Sequence, residues 1–359
     1  LLTGGPGRTP VSPWEGPTTP ITGRVVLVGV DGMSEAVVDR LIGAGELPNL
    51  ARFRREGAWG PLRTHKPTFS PILWTTMATG QVPARHGIRG TAEIRPRWGG
   101  GPLYLPPGRG LNNLVRWQDR LLGLWPTTPP LASTRRSRAL WEIVDLHGGS
   151  SAVFGWWPSR PIDPVQGVML SDFGARDTGA RLAVGEPLCP LPSFDAAEGL
   201  CPGLDDLDIP PGPKRPFAPA ANPLAALDPM SRVVWSAAID RLAHHRDPLV
   251  ALYVHDLDTH WDWEDVEPAL WGRTATGTDV LDRYRVVDAL LGAVLAAADD
   301  ATVLLVSDHS MAPVFGETRP IKTASHSHAP PGIIGLLGPA VPAGHPLDGA
   351  DLLDVAPTT

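Results

Sequence analysis

A chain of 359 residues, 42% hydrophobic and 19% charged, can bury a sizeable core and is too apolar to remain disordered. Its net charge of -7 comes with no long basic stretch, which argues against a nucleic-acid groove. It contains no run of about 18 consecutive apolar residues, so nothing in it reads as a transmembrane helix.

Residues 1–22, rich in Pro, Gly and Thr, read as a flexible leader. The sequence starts at Leu1 without a methionine, which fits removal of a signal peptide or anchor and an extracytoplasmic location. The β-branched run Val25 to Val30 predicts a strand buried on both faces, ended by Asp31-Gly32. A helix over Ser34 to Ala44 follows, with Ser34 as N-cap, then a second over Pro48 to Glu56 with Pro48 in its first turn. After Pro71, ILWTTMAT predicts a helix that stops at Gly80. Residues 91–135 and 156–228 are rich in Pro, with Trp or Gly, and read as irregular cap insertions. Between them lie a helix near Arg138 to His147 and a strand from Ser151 to Gly155. Helix Ser231 to His244, strand Pro248 to His255, helix Gly277 to Ala298, strand Thr302 to Ser307 and a short strand at Gly332 to Leu337 complete the chain. Strands alternating with helices imply an α/β fold: a three-layer α/β/α sandwich around a mostly parallel sheet, in one domain over 23–359.

In such a sheet, ligands gather beyond the carboxyl ends of the strands. Asp31, Asp256 and the pair Asp308-His309 each follow a predicted strand and so share one edge. Asp256 and His260, four apart, face the same way over one helical turn, with Asp258 as the competing ligand. His326 and His328 offer a further imidazole. Ser70 precedes Pro71 at a helix start, where a hydroxyl serves either as N-cap or as a nucleophile favoured by the helix end. Thr68 is its alternative, and His86 reads as structural. Trp261 and Trp263 are candidates for a substrate-pocket wall. Carboxylates, imidazoles and one hydroxyl suffice for two divalent metal ions and a nucleophile, a combination suited to phosphate-ester hydrolysis. Cys189 and Cys201, the only cysteines, are equally consistent with a local disulfide and with two thiols.

The stretch from Val30 to Ile88, VDGMSEAVVDRLIGAGELPNLARFRREGAWGPLRTHKPTFSPILWTTMATGQVPARHGI, resembles the N-terminal block of the alkaline phosphatase superfamily's type I phosphodiesterase and nucleotide pyrophosphatase branch. DLDTH resembles that branch's D-x-x-x-H motif, SDHSM its S-D-H-G-M with Ser310 for glycine, and HAPPGIIGLLGP its last His block, which selects His328 over His326. The resemblance implies one metal on Asp256, His260 and His328, and another on Asp31, Asp308 and His309 beside the nucleophile Ser70. The metals it implies are zinc, with manganese as the alternative, and the substrate a small phosphoester cleaved through a phosphoseryl intermediate. Leu73 stands where the nucleotide pyrophosphatases carry an asparagine, which counts against nucleotides, and Ser70-Pro71-Ile72-Leu73-Trp74 lacks the sulfatase pattern. The family usually continues past DVAPTT into a Leu-rich helix, so a C-terminal piece is expected beyond residue 359. The rival readings are a monoesterase or phosphonate hydrolase on the same metals, and a catalytically silent binding protein that keeps the fold. No arginine adjoins Ser70, which favours diesters over monoesters.

Overall fold

The computed structural model describes residues 21–94, 103–104, 127–172, 227–259, 279–298, 300–313, 324–325 and 329–359. Eight strands form the main sheet: β1 (Val25–Val30), β2 (Ala58–Leu62), β3 (Ser151–Phe154), β4 (Gly167–Leu170), β5 (Leu249–Val254), β6 (Thr302–His309), β7 (Pro331–Leu337) and β8 (His345–Pro346). Their spatial order is β8-β2-β7-β6-β1-β5-β3-β4. β1 lies at the centre, parallel to β5 on one side and β6 on the other. Only β7 runs against its neighbours, β2 and β6.

The alternation of side chains along a strand builds two cores from one sheet. Val26, Val28 and Val30 of β1 face a layer made by α1 (Glu35–Gly43), α2 (Pro48–Glu56), α6 (Pro229–His244) and α8 (Asp279–Ala297). Leu27 faces the opposite layer, with Leu73, Trp74 and Met77 of α3 (Ser70–Thr79) and Trp141 of α5 (Leu140–Leu146), the short α4 (Pro83–His86) lying between these two in the chain. This is the three-layer sandwich expected from the sequence. α3 is buried on every side, and its Thr75, Thr76 and Thr79 hydroxyls each donate to the carbonyl four residues back, which satisfies them without water.

Three local readings change. Gly167–Leu170, inside the stretch read as an insertion, is the edge strand β4 and pairs parallel to β3. Four residues between Pro-rich flanks were too short a signal to stand out. Ser34 occupies the N-cap position of α1, but its side chain makes no capping bond; its N–H donates to the Tyr284 hydroxyl instead. β6 runs on through His309, because β7 pairs with it as far as Pro331 opposite His309. Within residues 91–135, Glu93–Ile94 pairs with both Leu103–Tyr104 and Thr127–Thr128 in a small antiparallel sheet.

Candidate metal centre

Strand parity brings the first carboxylates together. Gly29 pairs with Val306, so two residues further on Asp31 comes level with Asp308. Leu27 on β1, Ala251 and Tyr253 on β5, and Leu304 and Val306 on β6 all face the α3 layer. Asp31 and Asp308 continue the same parity on their own strands and therefore emerge on the face of the helix that carries Ser70.

Each ligand atom is prepared by its neighbours. Asp31 Oδ2 accepts from the Tyr253 hydroxyl at 2.8 Å and from Trp74 Nε1 at 3.2 Å. Its other oxygen, Oδ1, has no donor among the described residues and lies 3.5 Å from His309 Nε2. His309 Nδ1 donates to the Ser310 carbonyl at 2.8 Å, since a carbonyl only accepts. In the neutral ring Nε2 is then the lone-pair nitrogen, the state a metal ligand requires. Asp308 Oδ2 is also 3.5 Å from that nitrogen. Neither Asp308 oxygen meets a described donor, and burial, followed by the neighbouring Asp31 charge, holds its carboxyl well above the usual carboxylate range.

Asp258 joins this group. One ligand atom each from Asp31, Asp258 and His309 lies within 4.8 Å of the others, close enough to hold a metal ion. Gly32 makes the approach feasible. Its φ is +74°, and a Cβ there would lie 2.9 Å from the Asp258 Cα. Asp256 and Asp258 both sit on the short α7 (Asp256–Thr259) that follows β5. Asp256 is fully buried. Its Oδ1 accepts from the Asp228 N–H at 2.7 Å and lies 3.7 Å from Arg283 Nη1, while Oδ2 meets no described donor. Burial raises its carboxyl, against the lowering effect of the nearby Ser231 hydroxyl, the Asp228 N–H, His255 and Arg283.

Ser70 is buried and is the first residue of α3; the N-cap position belongs to Phe69, with no side-chain capping bond. The hydroxyl is thus not the helix cap. Trp74, which donates to Asp31, lies one helical turn beyond Ser70 and on the same face. His86 is structural. It is fully buried, its Nδ1 accepts from the Ile88 N–H and its Nε2 lies 3.1 Å from the Thr76 hydroxyl. His260, Trp261, Trp263, His326, His328, Cys189 and Cys201 lie outside the described residues.

The donor set fits a divalent cation. Buried carboxylate oxygens without donors are costly, and an ion among them would satisfy Asp31 Oδ1 and Asp308 together with the imidazole. The sequence reading missed Trp74 and Tyr253 as site residues. The only trace of either was a tryptophan one turn from Ser70.

The sequence profile described as type I phosphodiesterase / nucleotide pyrophosphatase matches residues 25–330. The chain belongs to this family. The solved structure of murine ectonucleotide pyrophosphatase / phosphodiesterase 5, an inactive variant in complex with AMP, is similar in fold: 12% identity, 94% of each chain covered and a TM-score of 0.53. Phosphonoacetate hydrolase from Sinorhizobium meliloti 1021, solved with phosphonoformate and with phosphonoacetate, is 17% identical at a TM-score of 0.49. That match takes in 82% of this chain, which spans 57% of the hydrolase chain. No curated protein matches in sequence.

Proposed function

We propose that this member of the phosphodiesterase family hydrolyses a small phosphodiester through a phosphoseryl intermediate on Ser70. The observation that carries the reading is the pair of buried carboxylates, Asp31 and Asp308, facing one His309 nitrogen with no donor to Asp31 Oδ1 or to Asp308 among the described residues, beside the helix that starts at Ser70. Asp31, Asp308 and His309 would hold one divalent cation, with Asp258 the additional donor the geometry offers, and Asp256, His260 and His328 a second. Zinc suits these nitrogen and oxygen donors, as manganese does. When bound, such cations supply Lewis acidity to the attacking and leaving oxygens.

The chain's own residues do the rest. The Ser70 oxygen, at the positive end of α3, attacks phosphorus in line as its proton passes to solvent. The bond to the leaving alcohol breaks, and that oxygen takes a proton from solvent. Water then cleaves the phosphoserine, releases the monoester and restores the hydroxyl. Leu73, in place of an amide side chain, leaves one fewer donor to phosphoryl oxygen and disfavours nucleotides as substrates.

The test is turnover of a panel of diesters, monoesters and phosphonates before and after chelation, with zinc or manganese added back. Chelation should abolish diester turnover and metal should restore it. Ser70→Ala should then lower turnover by several orders of magnitude while metal binding persists, because only the attacking oxygen is removed. Full activity in a demonstrably metal-free sample, or near-parental turnover by Ser70→Ala, sinks the mechanism.

A further inference from the structure

Asp31 is held through one of its two oxygens by side-chain donors. Both described donors to it, the Tyr253 hydroxyl and Trp74 Nε1, act on the same oxygen, at 2.8 and 3.2 Å. Both belong to aromatic side chains that are themselves fixed. The Trp74 and Tyr253 rings meet edge-on with centroids 4.6 Å apart. Trp156 packs edge-on against Trp74 at 5.3 Å and donates its Nε1 to the Trp74 carbonyl at 3.2 Å. The Trp74 ring also fills the space a side chain at position 29 would take: a Cβ on Gly29 would stand 2.5 Å from its Cζ3. The tryptophan therefore cannot withdraw without opening a hole beside β1.

We propose that Trp74 and Tyr253 are positioning residues that form a two-donor clamp on Asp31, reserving Oδ1 alone for a divalent cation. This rests on the metal-centre reading above. A carboxylate with both oxygens available can bind an ion through two atoms or swing between them. Two neutral donors on Oδ2 occupy its lone pairs and fix the plane of the group. The cation is then met by Oδ1 in a defined place, without the cost of ordering the carboxylate on binding.

Tyr253→Phe and Trp74→Phe each remove one donor while keeping an aromatic ring. The measurements are affinity for zinc and for manganese by chelator competition, melting temperature of the metal-free proteins, and the visible spectrum with cobalt(II), which reports coordination number. Each variant should bind metal about tenfold or more weakly. Its cobalt spectrum should shift toward the weaker absorption of a higher coordination number, as Asp31 becomes free to bind through both oxygens. Tyr253→Phe, the smaller change, keeps the test valid if Trp74→Phe does not fold. Parental affinity and a parental cobalt spectrum in a folded Tyr253→Phe overturn the clamp, as does a lowered metal-free melting temperature with affinity unchanged, the mark of packing alone. If the parent protein itself binds neither ion, the metal-centre reading fails and the clamp falls with it.

Discussion

Two clusters of buried carboxylates lie in the α3 and α5 side of this molecule, and they are completed in different ways. Around Arg135, the carboxylates of Glu142 and Asp163 each lie 2.6 Å from one guanidinium nitrogen. Trp141 Nε1 donates to Asp163, the Ala139 N–H donates to Glu142, and the guanidinium lies over the Trp141 ring. At the strand ends, Asp31 and Asp308 are as deeply buried, yet no described Lys or Arg pairs with either. The first cluster carries its own cation and hydrogen-bond donors, as a structural ion network must. The second has no Lys or Arg among the described residues, and the ligand-ready nitrogen of His309 points at both of its carboxylates. The contrast separates a buried charge group that holds the fold from one arranged for something added later.

The largest effect expected from this contrast is at Arg135. Removing the guanidinium by Arg135→Ala leaves two carboxylates buried without their cation. It should cost about 3–5 kcal/mol of unfolding free energy. Metal affinity in the molecules that remain folded should be unchanged. Denaturant unfolding with and without zinc reads both quantities, and a stability loss under 1 kcal/mol would remove the structural half of the comparison.

A smaller effect is expected from His86, which feels the charge of the same arginine. Burial, then the Arg135 charge, push its imidazole down to about 3 from an ordinary 6.5. Its Nδ1 accepts from Ile88, so the neutral ring carries its proton on Nε2, beside the Thr76 hydroxyl. The folded state therefore refuses a proton that the unfolded chain takes up. Above pH 6.5 both states are neutral and nothing is lost. Below it, stability should fall by up to about 1.4 kcal/mol per pH unit, or about 2 kcal/mol by pH 5, and the loss should end near the folded-state value. Urea unfolding of the parent and of His86→Gln at pH 7.5 and 5 isolates this share. An equal acid sensitivity in the two proteins would assign the loss to other groups.

The sheet was readable because its signals are local. VVLVGV, LVALYV and TVLLVS are continuous apolar runs, and parallel central strands need that pattern on both faces. Once those strands are placed side by side, Asp31, Asp256 and Asp308-His309 follow at one edge. β2 and β4 were not readable: AWGPL carries a proline, and GVML is short and flanked by proline-rich chain. The clamp on Asp31 was hidden for a different reason. Its two hydrogen bonds span 43 and 222 residues, and no periodicity within one segment records such a pairing. Asp258 was named only as a competitor to Asp256, because the spacing within α7 cannot tell which carboxylate turns toward Asp31. That choice depends on Gly32, whose bare Cα admits the Asp258 backbone.

The smallest effect is the one that tests the comparison most directly, because it should have opposite signs on stability and on binding. Asp308→Asn keeps the shape of the side chain but removes an ionisable carboxyl beside Asp31, where no described Lys or Arg offsets it. The new amide can donate toward Asp31 Oδ1, which has no described donor. Relief of the repulsion between the two groups should therefore stabilise the metal-free protein, by about 1 kcal/mol. A neutral amide is a poor ligand for a divalent ion, so zinc affinity should fall at least tenfold, and the rise in melting temperature that metal gives the parent should shrink or vanish. The corresponding change in the other cluster, Asp163→Asn, should differ on both counts. It weakens the bonds to Arg135 and Trp141, lowers stability, and leaves zinc binding as it was. Melting curves of the parent and both variants, each with chelator and with zinc, give four differences whose signs are fixed in advance. If Asp308→Asn is destabilising in chelator by as much as Asp163→Asn, the strand-end carboxylates belong to the fold in the same way as the Arg135 network, and the case for a built metal centre is lost.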